Sequence, residues 1–196
     1  MPKLSHDLTW MAAANIASSL FNAAIFVYLA RVLGPEPFGA FSYAFTIVFF
    51  AGNFIDLGLS TYGMREIARN HGRAALFVSE IVTLRLAIAA VLSGLLILAA
   101  ALMGISGQLK ILLMLSSLML FGLAAATEWA FQGLERMRYV FLSFAATSGL
   151  QLLLITAAVR SPGAVGIVPV AYFVAMLPIT VLYLQAAFCL SGAAFR

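Results

Sequence analysis

Residues 38–62, FGAFSYAFTIVFFAGNFIDLGLSTY, are apolar along nearly their whole length, yet polar residues recur in them at helical spacing. At about 100° per residue, Gly39, Ser42, Thr46, Asn53, Asp56 and Ser60 fall within about 100° of one another on a helix. A helix facing only hydrocarbon would not carry such a line, because each unpaired polar group costs free energy there. The stripe therefore faces protein or water. This predicts a membrane protein of several spans with a polar interior.

The rest of the chain agrees. Of its 196 residues, 64% are hydrophobic and 9% charged, with a mean hydropathy of +1.07. Soluble domains sit near 45–50% apolar and about 25% charged, so that class is excluded. A hydrocarbon core of about 30 Å needs roughly 20 apolar residues per helix. The sequence supplies six such stretches: Leu8–Leu33, Phe38–Tyr62, Glu80–Met103, Leu109–Gly133, Tyr139–Val159 and Val165–Leu190. Residues 1–190 read as one six-helix membrane unit and 191–196 as a short tail. No alternation of the membrane β-barrel kind is present, so the fold class is all-α. The first apolar run is too long for a signal-peptide core and reads as an uncleaved span.

Arginine and lysine set the orientation. With a cytoplasmic N-terminus, Lys3, Arg65, Arg69, Arg73, Arg136, Arg138 and Arg196 lie inside, against Arg31, Lys110 and Arg160 outside. Both termini are then cytoplasmic. The net charge of +4 acts on membrane orientation and does not point to nucleic acid. Gly34-Pro35-Glu36-Pro37 separates spans one and two, since two prolines cannot continue a helix. The polar segment 64–80 carries Arg65, Arg69 and Arg73 four residues apart. It reads as a solvated helix end on anionic headgroups, with a substrate-docking basic row as the sharper alternative. Asn70-His71-Gly72 is expected to interrupt that row, and Pro178 to kink span six.

Asp56, Arg85 and Glu128 are the costly residues, since each lies within a span. At 1.5 Å per residue, all three sit roughly 10 Å to the cytoplasmic side of their midpoints, so they can meet. Two readings stay open: a structural bridge with Arg85 between two carboxylates, or a polar cavity whose arginine binds an anion and whose carboxylates take up a proton or cation. Amides and hydroxyls extend the set. Asn15, Ser18, Ser19 and Asn22 share a face of span one; Tyr139, Ser143, Thr147 and Gln151 share a broader face of span five; Gln132 follows Glu128 by one turn. Interhelical hydrogen bonding explains single hydroxyls, but polar faces on several helices suit a solvated cleft.

Cys189 stands alone, and His6 and His71 have no metal-ligand spacing with other residues. There is no Ser/His/Asp cluster and no phosphate loop. No metal, cofactor or enzymatic activity is expected.

Three segments resemble the polysaccharide flippases (the Wzx-like, O-antigen branch) of the multidrug/oligosaccharidyl-lipid/polysaccharide (MOP) exporter superfamily. ARVLGPEPFG at 30–39 resembles their first periplasmic turn. DLGL at 56–59 followed by REIAR at 65–69 resembles the end of their second span. EWAFQGLERMRY at 128–139 resembles the loop after their fourth, with Glu128 where an aspartate is more usual. The resemblance implies translocation of a lipid-linked oligosaccharide, carried on an isoprenoid pyrophosphate, between leaflets of a bacterial inner membrane. It also implies a MATE-like arrangement of two six-helix lobes around a central cleft, of which this chain supplies one. The missing lobe would come from another segment or from a homodimer, and membrane lipids complete the partners. On this resemblance Arg85, Arg31, Asn15, Asn22, Asn53, Gln132 and Gln151 are candidate substrate contacts, and Asp56 and Glu128 candidate coupling groups. A non-transporting scaffold subunit of a polysaccharide-assembly complex is the alternative.

Overall fold

The computed structural model describes the backbone of residues 2–193 and the side chains of residues 15–182 and Gln185. Eight α-helices follow one another: α1 (Pro2–Leu33), α2 (Pro35–Asp56), α3 (Leu59–Arg69), α4 (Ala74–Leu102), α5 (Gly107–Ala125), α6 (Glu128–Gly133), α7 (Met137–Ala158) and α8 (Ile167–Ala193). Short 3-10 turns occupy His71–Arg73 and Pro162–Gly166, and no strand occurs among the described residues. Six segments are long and apolar enough to span a bilayer: Asn15–Leu33, Pro35–Arg69, His71–Leu102, Gly107–Gly133, Met137–Ala158 and Pro162–Leu182. The outward surface is as apolar as the interior, with Leu20, Phe50, Val91, Leu153 and Leu182 all more than half exposed. Hydrocarbon, not water, is the solvent for such a surface. The protein is an all-α polytopic membrane protein.

Span two reaches further than its apolar run, because the helix resumes as α3 and ends at Arg69. Spans two and four are also each broken, at Leu57–Gly58 and at Ala126–Thr127. The polar line of span two therefore does not lie on one straight helix, and its last member, Ser60, belongs to α3. As the sequence predicts, the chain leaves the α-helix at Asn70, whose φ is −144°, before the 3-10 turn. Helix α8 runs through Pro178.

Packing places α5 at the centre, with α2, α4 and α8 against it, while α1 lies along α7 and α7 along α8. Small residues let this happen. A Cβ on Gly122 of α5 would stand 2.6 Å from Met176 Sδ of α8, so a larger residue there would make the methionine side chain shift. The main core runs through the bundle, with Ile25 and Leu29 of α1, Phe41 and Val48 of α2, Leu112 and Leu120 of α5, Ile155 of α7 and Val168 of α8 all nearly inaccessible.

The turn between α1 and α2 is one residue, Gly34, at φ 76°. That left-handed value suits glycine, and Pro35 then starts α2 where a missing N–H costs nothing. Beside the turn Phe26 meets Phe38, Phe41 and Phe45 at ring-centroid distances of 6.3, 6.2 and 5.7 Å. Tyr172 of α8 joins Phe45 at 5.6 Å. These contacts lock α1, α2 and α8 together at one end of the bundle.

The long α1–α7 contact carries a polar fastening. Tyr28 donates its hydroxyl to the carbonyl oxygens of Val159 at 2.8 Å and Thr156 at 3.2 Å, serving carbonyls that the end of α7 leaves free. Tyr28→Phe removes this at nearly constant shape. It should cost about 1 kcal/mol and lower the melting temperature in detergent by roughly 2–4 °C. An unchanged melting curve would show that the hydroxyl contributes nothing net.

Candidate functional site: a polar cavity behind two broken helices

The break in span two is built by Asp56-Leu57-Gly58. Leu57 and Gly58 both adopt left-handed backbone, at φ 38° and 85°. Asp56 makes the resumption of the helix possible: its Oδ1 accepts from the Ser60 N–H at 3.1 Å and also from the Ser60 hydroxyl. A carboxylate at the start of α3 satisfies an orphan N–H and faces the positive end of the helix dipole.

The break in span four is its complement. Helix α5 ends at Ala125 and α6 begins at Glu128, so carbonyls near the end of α5 lose their intrahelical donors. Arg85 of α4 supplies the replacement. It donates to Leu123 O at 2.9 Å and to Ala126 O at 3.0 Å, and Trp129 Nε1 also donates to Ala126 O, at 3.2 Å. The same guanidinium reaches across to the other break, 3.5 Å from Ser60 Oγ and 3.8 Å from Asp56 Oδ1. One buried cation thus holds the carbonyl end of one interrupted helix to the carboxylate end of another. The fit is electrostatic, since a helix C-terminus and a carboxylate both attract positive charge.

Tight backbone contact backs this clasp. Cβ atoms on Gly63 of α3 and Gly133 of α6 would stand under 3.0 Å from Ile81 and Trp129 and from Met64 O respectively. Ile67, Val78, Ile81, Trp129 and Ala130 form a separate apolar cluster around the contact.

Above the clasp lies a cavity of ≈ 400 Å³ to which all six spans contribute. Its polar lining comprises Ser18 and Asn22 of α1, Asn53 of α2, Arg85 of α4, Glu128 of α6, Thr147, Ser148 and Gln151 of α7 and Thr180 of α8. Helix α1 touches α2 only briefly and Asn53 is exposed, so that side is the open edge. Asn22 and Asn53 each commit one amide hydrogen to their own helix, to Ser18 O and Phe49 O at 2.9 Å. Their remaining donor and acceptor capacity is available to a ligand. Arg85 Nε and Ser18 Oγ are buried without a hydrogen-bond partner.

The structure therefore gathers five of the nine singled-out residues around one space: Asn22, Asn53, Arg85, Glu128 and Gln151. Asp56 sits behind Arg85 and does not line the cavity. Asn15 and Gln132 do not line it either, and Arg31 is an exposed residue in the last turn of α1. Arg85 pairs with Asp56 and not with both carboxylates; among the described residues no ion pair joins it to Glu128. The polar face of span five divides, with Thr147 and Gln151 lining the cavity while Tyr139 and Ser143 line a different, apolar groove. Among the described residues no three His, Cys, Asp or Glu side chains cluster as a metal site would require; Cys189 and His6 fall outside the described side chains.

Ser148 and Thr180 escaped the sequence reading, as did the carbonyls of Leu123 and Ala126. Lone hydroxyls inside apolar runs give no pattern. The carbonyls had a signal: Thr127-Glu128 is a helix-start pair in mid-span, which marks a break.

The family model described as "Polysaccharide biosynthesis protein" matches residues 4–193. Among solved structures, a MOP superfamily transporter from Pyrococcus furiosus superposes with a TM-score of 0.64 at 20% identity, over 89% of this chain and 42% of that one. The chain thus spans less than half the length of that structure, and the likeness is one of fold. No curated protein matches the chain in sequence.

Proposed function

The chain belongs to the polysaccharide biosynthesis protein family, and from that premise we propose that it forms one lobe of a transporter moving a lipid-linked oligosaccharide from the cytoplasmic to the outer leaflet. The observation that carries the proposal is the polar cavity lined by all six spans. A lobe serving only as a membrane anchor has no use for amides, hydroxyls and a carboxylate facing one space within hydrocarbon, where each is costly. Sugar hydroxyls both donate and accept, and Asn22, Asn53 and Gln151 offer both capacities in return. Glu128, on the same cavity, is the group placed to take up a proton or cation during the cycle. Asp56 and Arg85 act one step back by keeping the two helix breaks in register. The 42% coverage of the transporter from Pyrococcus furiosus supports a second lobe facing this one, from another segment or a second copy, and the bias of arginine and lysine favours cytoplasmic termini.

A second reading has its own support. The Arg85 guanidinium is already engaged by two carbonyls, a hydroxyl and a carboxylate, as a scaffold subunit of a polysaccharide-assembly complex would need for stability alone. Asn53→Leu with Gln151→Leu separates the two. Each lost polar contact is worth about 1 kcal/mol, so the pair should lower export of lipid-linked sugar roughly tenfold or more at unchanged membrane abundance. The sugar would accumulate in the cytoplasmic leaflet, as it would on deletion of the gene. Undiminished export in the double variant and in the deletion would remove the transport reading.

A further inference from the structure

A second concavity, of ≈ 320 Å³, lies on the exposed apolar surface of the bundle between the start of α7 and the later half of α8. Its lining is almost wholly apolar, with Leu142 and Ala146 on one wall and Ile179 and Leu182 on the other. At one end the chemistry changes. Arg136 stacks its guanidinium 5.8 Å from the ring centre of Tyr139, which itself lines the groove. Arg138, also exposed, stands one helical turn before Leu142 on the same face of α7. No side chain caps the start of α7; the Tyr139 N–H donates to Arg136 O at 3.1 Å, while those of Met137 and Arg138 point toward the same end as the two arginines.

A hydrocarbon slot whose end carries two arginines against one exposed carboxylate, Glu135, keeps a net positive end and has the polarity of an anionic phospholipid. From this match we infer that the groove is a specific site for one, an acyl chain lying along Leu142, Ala146 and Leu182 and the phosphate held by Arg136 and Arg138. The exposure of Tyr139, Leu142 and Leu182 at about half or more, 49%, 50% and 63%, leaves the slot accessible from the bilayer. The site does not depend on the transport reading, because its lining shares only Ile179 with the central cavity.

The test uses the full chain purified in a nonionic detergent and titrated, by native mass spectrometry, with phosphatidylglycerol and phosphatidylcholine bearing identical acyl chains. Phosphatidylglycerol should be retained about tenfold more strongly, the scale expected of two arginines at a headgroup. Arg136→Gln with Arg138→Gln should abolish that preference while helical content and elution volume stay as they were. Ala146→Phe, which fills the slot, should weaken retention of both lipids. Equal retention of the two lipids by the unaltered chain would overturn the inference. So would a preference that survives the double variant and falls instead with Arg65→Gln and Arg69→Gln. If Ala146→Phe converts a dimer to a monomer without changing lipid retention, a second copy occupies the groove and the lipid site is wrong.

Discussion

Replacing Arg85 by methionine should be the most damaging single change in the polar interior. The substitution keeps much of the aliphatic stem and deletes the charge. Leu123 O and Ala126 O would lose Arg85 as donor, though Trp129 still serves Ala126. Asp56 would lose its cation, but its side chain is 38% exposed and keeps its bonds from Ser60, so water recovers part of that loss. An orphaned carbonyl costs about 1–3 kcal/mol and breaking a fully buried pair about 3–5. The half-open carboxylate argues for a total of roughly 2–4 kcal/mol. A fall of that size should be visible as a lower melting temperature in detergent and lower abundance in the membrane. Arg85→Lys retains the charge but presents one ammonium where a planar fork spans two carbonyls, so it should recover only part of the stability. A methionine variant as stable as the parent would mean that the two helix breaks hold together without the clasp.

Gly133→Val and Gly63→Val should come next, through sterics alone. A side chain at Gly133 meets Met64 O at 2.8 Å and Ile67 Cβ at 3.1 Å, and a backbone oxygen in a helix cannot step aside. At Gly63 the obstruction includes Ile81 Cδ1 at 2.6 Å, a flexible tip, and the Trp129 ring, which is held by its bond to Ala126. Overpacking of this kind costs about 1–3 kcal/mol, with Gly133 at the upper end. Because both changes push α3 from α6, they should also loosen Arg85 from Asp56. Coupling between Gly133→Val and Arg85→Met in a double-mutant cycle, read by thermal unfolding, checks this. Strict additivity would show that the glycine contact and the clasp are separate devices.

The polar residues of the spans show how far a linear reading goes. Periodicity placed Asn22, Asn53 and Gln151 on interior faces because a helix has a fixed angular step, and burial in hydrocarbon admits polar groups only where something meets them. Depth arithmetic brought Asp56, Arg85 and Glu128 to one level for the same reason, with a constant rise per residue. It did not reveal which carboxylate Arg85 chooses, since level says nothing about azimuth between helices. Nor did composition reveal the broken spans: Leu57 and Ala126 are as apolar as their neighbours, and hydropathy does not register a lost backbone hydrogen bond.

The amino-acid order by itself determined the membrane as solvent, the six spans and the polar faces, because those follow from transfer free energies and helix geometry within single segments. Tertiary structure alone decided that Arg85 serves the carbonyls of a neighbouring helix and Asp56, that Asn15, Arg31 and Gln132 lie off the cavity, and that the face of span five divides between a polar cavity and an apolar groove. These depend on how helices far apart in the chain are rotated and packed against one another. Small residues such as Gly63, Gly122 and Gly133 set that packing, and their effect exists only where a second helix comes close.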